Sequence, residues 1–186
     1  MEEVKDRLHA ERILKREGVR VAGKPQGDLM LHAARLGLIK VVEFFAKSVS
    51  VEYRNRMQDS LLHYAARGGQ KELVSDLIDT GINPLIVNLF NETPLMNAAE
   101  EGHVEVVKKL LERGGTRLQD KFGDTALHFA AREGHQEVCH EILRKDYEMV
   151  NMLNDQKQTA LAYAYASGHL DTAKLLERYG GKTAVV

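Results

Sequence analysis

The stretch Asp120-Lys-Phe-Gly-Asp-Thr-Ala-Leu-His-Phe-Ala-Ala-Arg-Glu-Gly-His135 decides the fold, because its parts return four more times along the chain. Its alanine pair has counterparts at Ala33-Ala34, Ala65-Ala66, Ala98-Ala99 and, with one replacement, Ala164-Tyr165; the successive spacings are 32, 33, 32 and 34 residues. Gly37, Gly69, Gly102, Gly134 and Gly168 keep the same intervals. A period near 33 residues belongs to a short list of repeat architectures, in which each unit buries its apolar face only against its neighbours.

Each unit has the same internal order. Asp28, Ser60, Thr93, Thr125 and Thr159 stand where a side-chain oxygen caps a free backbone N–H at a helix start, and Pro94 follows at the first helical position. The alanine pair lets a second helix approach, and the glycine ends the first helix in the left-handed conformation that other residues resist. A second helix follows in four units, with apolar faces Val41, Val42 and Phe45; Leu73, Val74, Leu77 and Ile78; Val106, Val107, Leu110 and Leu111; and Val138, Cys139, Ile142 and Leu143.

These units resemble ankyrin repeats, whose pattern is a β-turn, the motif T-P-L-H-x-A-A, a Gly-His turn and a second helix. Thr125-Ala-Leu-His-Phe-Ala-Ala131 with Gly134-His135 matches best; Thr93-Pro-Leu-Met-Asn-Ala-Ala99 and Ser60-Leu-Leu-His-Tyr-Ala-Ala66 are close. Asp28-Leu-Met-Leu-His-Ala-Ala34 is looser, and Thr159-Ala-Leu-Ala-Tyr-Ala-Tyr165 is last. The resemblance implies an all-α solenoid of helix-turn-helix units joined by β-turn or hairpin loops, over 27–181, with units near 27–54, 55–87, 88–119, 120–153 and 154–181. Tetratricopeptide repeats share the period, but the chain has no Trp to supply their motif.

The ends and irregular units carry further expectations. Residues 1–26 predict a helix with an apolar stripe of Met1, Val4, Leu8 and Leu14, Ile13 lying off that face, and a break at Gly23-Lys-Pro-Gln-Gly27. The helix is either a polar cover over the first unit or a separate partner helix. Val49 predicts an irregular exit from unit one, and Asp146 a bulged loop around Tyr147 to Met149. Tyr165, Thr172 and Glu177 mark unit five as a terminal cap with an outer face. Residues 182–186 form a tail whose Thr-Ala-Val-Val186 is too short to imply a carboxylate-binding partner.

Composition narrows the function classes. With 186 residues and 44% hydrophobic content the chain is long enough for a sizeable core. A net charge of -1 and a pI near 6.7 offer no basic field for nucleic acid or anionic membrane. Basic residues are interleaved with acids instead, as in Glu105, Lys108, Lys109, Glu112 and Arg113. One cysteine and no apolar leader in MEEVKDRLHAERILKREG point to a reducing compartment, the cytoplasm or nucleus. No apolar run approaches the roughly 20 residues of a membrane helix.

Neither a phosphate loop nor a nucleophile elbow is present, and Glu100-Glu101 reads as a solvated pair, so no catalysis, cofactor or small-molecule substrate is expected. His63 and His128 hold the motif position and His103, His135 and His169 the Gly-His turn. His135 and Cys139, four apart, offer a rival metal- or redox-linked role. Against it, Cys139 aligns with core valines.

The resemblance places partners on a concave face lined by turn fingertips and first-helix ends. By register the tips are Arg56, Met57 and Asp59; Leu89, Phe90 and Glu92; Lys121, Phe122 and Asp124; and Asp155, Gln156 and Gln158. The helix ends are Arg35 and Leu36, Arg67, Glu100 and Glu101, and Arg132 and Glu133. Met57, Leu89, Phe90 and Phe122 predict an apolar patch with a charged rim, the anatomy of a protein interface; alternatively Phe90 and Phe122 fold back between neighbouring turns. Tyr64 and Phe129 border the same groove as second-rank candidates. The expectation is a monomeric, non-catalytic protein-binding module: an adaptor, inhibitor or assembly factor. A metal- or redox-linked role through Cys139, or a nucleic-acid-associated regulator, is the alternative.

Overall fold

A computed structural model describes residues 4–183 of the chain. Met1 of the expected N-terminal stripe and residues 184–186 of the tail lie outside the described residues. Five helix pairs follow one N-terminal helix: α1 (Arg7–Arg16), α2 (Gln26–Arg35) with α3 (Ile39–Ala46), α4 (Leu61–Arg67) with α5 (Lys71–Asp79), α6 (Pro94–Glu100) with α7 (Val104–Leu111), α8 (Ala126–Glu133) with α9 (Gln136–Lys145), and α10 (Ala160–Ala166) with α11 (Leu170–Arg178). First helices pack in the row α2, α4, α6, α8, α10, and second helices in the row α5, α7, α9, α11. Among the described residues there is no strand, only an isolated bridge between Arg54 and Ser60. The fold is therefore an all-α repeat solenoid.

The rows are this close because Ala33, Ala34, Ala65, Ala66, Ala98, Ala99, Ala130 and Ala131 are wholly buried. A larger side chain there would have to displace the next helix. The second helices bury the faces expected of them, from Val41 and Val42 to Ile142 and Leu143, so the core runs the length of the stack. Ser60, Thr93 and Thr159 cap their helices, accepting from the backbone N–H of His63, Met96 and Ala162 at 3.4, 3.3 and 3.3 Å. The glycines Gly37, Gly69, Gly102, Gly134 and Gly168 all have φ between 69° and 78°.

Four local expectations are corrected. Asp28 is not a cap: α2 begins at Gln26 behind Pro25, which puts Asp28 inside the first turn, where its carboxylate accepts from the Tyr53 hydroxyl at 2.9 Å. In α1, capped by Asp6, the face toward the core is Ala10, Ile13 and Leu14, while Leu8 is exposed. Leu8 is inside α1 but six positions before Leu14 and two before Ala10, which turns it to the opposite side of the helix, and α1 lies against α2. Thr172 is buried, not on an outer face; its hydroxyl donates to the Gly134 carbonyl at 3.1 Å, tying unit five to unit four. The segment after α9 is a 3-10 turn, Tyr147–Asn151, which drives Met149 and Val150 into the core and is clamped by Arg117 on Asp146 and Glu148, at 2.6 Å each.

Candidate functional site

The turns between units share one construction. Asn55 Oδ1 accepts from the N–H of Met57 at 2.9 Å and of Asp59 at 3.0 Å. Asn88 does the same for Phe90 and Glu92, Asp120 for Phe122 and Asp124, and Asn154 for Gln156 and Gln158, all at 2.8–3.0 Å. Such side-chain turns fix the tip without a sheet. Gln58, Asn91, Gly123 and Lys157 then reverse the chain at positive φ. Each tip is bonded to the next by one backbone link: Leu89 N–H to Met57 C=O at 2.8 Å, Lys121 to Phe90 at 2.9 Å and Asp155 to Phe122 at 3.0 Å.

This ladder uses main chain only and leaves the tip side chains outward. Met57 is 50% exposed, Leu89 47%, Phe90 40% and Phe122 60%. Both phenyl rings stay exposed rather than folding back between turns, and Lys121 Nζ lies 6.0 Å from the centroid of the Phe90 ring. Arg56 and Lys121 are also exposed. Val51, Leu85, Val87 and Leu118 extend the apolar exposure onto the arms below the tips. Sequence reasoning missed these four, though Leu85-Ile-Val87 is a visible apolar run in a turn segment.

Two predicted tip residues are not at the surface. Asp59 and Asp124 are each 5% exposed. Asn88 Nδ2 donates to Asp59 at 2.9 Å; Asn154 Nδ2 and the Tyr163 hydroxyl donate to Asp124 at 2.8 and 3.2 Å. A buried carboxylate needs such donors, so both residues stitch neighbouring turns together and do not face a partner. Glu92 is partly buried and accepts from Asn88 at 2.8 Å and Arg67 at 3.4 Å. Phe129 is buried beneath the Arg132 guanidinium, whose carbon lies 4.9 Å from the ring centroid; Tyr64 is half-buried.

The charged helix-end residues are paired with one another or with turn acids. Arg35 faces Glu101 at 3.6 Å, Arg67 faces Asp59 at 3.7 Å, and Arg132 bridges Glu100 at 2.8 Å and Glu133 at 3.0 Å. Burial pushes the Glu100 carboxyl up, against the pull of Arg132. Behind this surface the histidines act as struts. Nδ1 of His63 and His128 accepts the N–H of Ser60 and Thr125, each at 3.2 Å, which leaves the proton on Nε2 to donate to the carbonyls of Glu92 at 3.0 Å and Gln158 at 3.1 Å. His103 and His135 donate through Nε2 to the carbonyls of Arg67 and Glu100 at 3.0 and 2.8 Å. Cys139 is wholly buried, and burial pushes its thiol up to about 12. Its geometry is that of a small core residue.

Comparison with known proteins agrees with this geometry. The family model for ankyrin repeats in three copies matches residues 29–117 and again 95–184. Among similar proteins, a putative E3 ubiquitin-protein ligase of Arabidopsis thaliana is 46% identical over 59 residues, covering 32% of this chain and 13% of that protein. An ankyrin repeat-containing protein of Saccharomyces cerevisiae is 41% identical over 61 residues, covering 33% and 12%. The liver isoform of mitochondrial glutaminase of Rattus norvegicus is 35% identical over 98 residues, covering 52% and 16%. The chain thus spans only a small part of the length of each of these relatives.

Proposed function

Because the chain belongs to the ankyrin-repeat family, we propose that it is a non-catalytic module that binds a protein partner through the fingertip and first-helix face, as an adaptor, inhibitor or assembly factor. The observation that carries this reading is the row of outward apolar side chains Met57, Leu89, Phe90 and Phe122 on turns fixed by their own side chains and by the backbone ladder. A preformed surface loses little freedom on binding, and a few aromatic and aliphatic anchors then supply most of the affinity. The paired charges at the helix ends form its polar rim.

The test is the double variant Phe90→Ala, Phe122→Ala, compared with the wild-type chain in quantitative capture of proteins from the native cell. Circular dichroism of the variant is expected to match the wild type, because both rings are exposed, while a partner retained by the wild type is lost. Retention of the same proteins by a folded double variant would overturn the assignment of this face.

A further inference from the structure

We infer that the groove between the turns of units three and four receives a lysine or arginine side chain of the protein partner over Glu92, Glu100 and Asp120. The inference deepens the proposed use of the fingertip face and rests on it.

Three departures from the repeat register meet at this one junction. First, at the neighbouring junctions an asparagine amide crosses from turn to turn, Asn88 to Asp59 at 2.9 Å and Asn154 to Asp124 at 2.8 Å. The equivalent residue here is Asp120, whose side chain has no N–H to give, and its counterpart across the junction is Glu92. Asp120 Oδ1 takes the N–H groups of Phe122 and Asp124, each at 2.8 Å, and no donor among the described residues reaches its other oxygen. Second, the helix-end position held by Arg67 and Arg132 in units two and four is Glu100 in unit three.

Third, the groove position filled by Tyr64, Phe129 and Tyr163 is Asn97 in unit three. Asn97 is wholly buried, donates through Nδ2 to Glu92 Oε2 at 3.4 Å, and has a buried Oδ1 with no donor, alone in this among the described residues. Each departure adds negative charge, removes a cation or leaves an acceptor unused. Both arginines at hand are already shared, Arg67 between Asp59 and Glu92 and Arg132 between Glu100 and Glu133, while Lys121 lies over the Phe90 ring. Burial raises the carboxyls of both Asp120 and Glu100, with the Glu92 carboxylate adding to the effect. Phe90 and Phe122, two residues from Glu92 and Asp120, supply apolar flanks for the methylene stem that carries a lysine or arginine head. A carboxylate-lined groove of this kind selects a cationic partner and rejects an acidic one.

The experiment is an NMR titration of the whole chain with acetyl-Leu-Lys-Leu-amide and with its norleucine analogue. The lysine peptide is expected to shift the Asn97 side-chain amide and the Phe122 backbone amide saturably, and the norleucine peptide to move only the rings of Phe90 and Phe122. In Asp120→Asn, Glu100→Arg the lysine response is expected to weaken several-fold. Asp120→Asn alone, which restores the crossing amide, is expected to raise the melting temperature, and the circular dichroism of the double variant is expected to match the wild type, which shows that the two substitutions keep the fold. Equal responses to the two peptides at Asn97, or an unchanged lysine response in the double variant, would overturn the cationic site while leaving the apolar face in place. If neither peptide moves the phenyl rings, the docking face itself falls, and this site with it.

Discussion

The imidazole of His135 lies against Gly102: a Cβ on that glycine would stand 2.6 Å from the ring, whose Nε2 donates to the Glu100 carbonyl at 2.8 Å. The same arrangement joins His103 to Gly69 and Arg67. The glycine therefore answers to two demands, its own φ of 78° and the imidazole of the following unit.

Gly102→Ala and Gly180→Ala separate the two demands. Gly180 has φ 82° with nothing within 4 Å of an added Cβ. Alanine at Gly180 is expected to cost about 1–2 kcal/mol, the left-handed penalty alone. At Gly102 displacement of the imidazole is expected to add about 1–3 kcal/mol through the orphaned carbonyl. Chemical denaturation of the two variants checks this, and equal losses would mean that His135 moves aside freely.

Replacing Asn154 by Asp imitates at the last junction what Asp120 does at the one before it. It removes the amide bonds to Asp124 and to the Tyr163 hydroxyl, at 2.8 and 2.9 Å, and sets a second carboxylate beside a buried one. A loss of about 2–4 kcal/mol is expected. Denaturation at neutral pH measures it, and a near-neutral effect would show that the crossing amide does not hold adjacent turns together.

Stability is expected to fall as pH drops through the histidine range. Burial, the first cause, lowers the folded pKa of His63 and His128 below the ordinary 6.5, against the opposing effect of the Glu92 and Gln158 carbonyls and of Asp59, Asp120 and Asp124; Arg67 and Arg54 lower His63 further. A depressed histidine contributes its full stability above its unfolded pKa and loses it as pH falls from 6.5 toward the folded value, because only the unfolded chain binds the proton there. Protonation of Nδ1 would also turn an N–H toward the N–H of Ser60 or Thr125. Asp120 and Glu100, whose carboxyls are raised, act in the opposite direction and at lower pH. Melting curves between about pH 7.5 and about 5.5 should fall more steeply for the wild type than for His63→Gln, His128→Gln. Parallel curves would remove the histidines as the cause.

The Cys139 thiol is expected to resist native-state labelling. It is wholly buried and its ionisation is pushed up to about 12, so a thiol reagent at neutral pH should react only as fast as the chain opens. Rapid labelling of the folded protein would contradict its place in the core.

The stack was legible in the sequence because its determinants are small and repeat in place: alanine pairs, a glycine, a capping hydroxyl. What the sequence hid was the partner of each polar side chain, since the partner sits about one repeat away. Asp59 and Asp124 looked like tip residues by position, yet Asn88 and Asn154 of the next turn draw them inside. Thr172 looked like an outer residue until the Gly134 carbonyl supplied its acceptor. The turn-building role of Asn55, Asn88, Asp120 and Asn154 had a visible signal, an Asn or Asp recurring at the repeat period, that went unused. Leu8 does not stand three or four positions from either Ala10 or Leu14, so the helix that buries those two turns Leu8 to solvent.

The tip-to-tip ladder runs through peptide groups alone, so it is indifferent to which side chain projects from Met57, Leu89, Phe90 or Phe122. Those positions are free to vary while the spacing between them is inherited from the stack. If the fingertips are the docking face proposed above, natural variation or laboratory selection can exchange one partner for another by rewriting a few of them, with no refolding to select for at the same time.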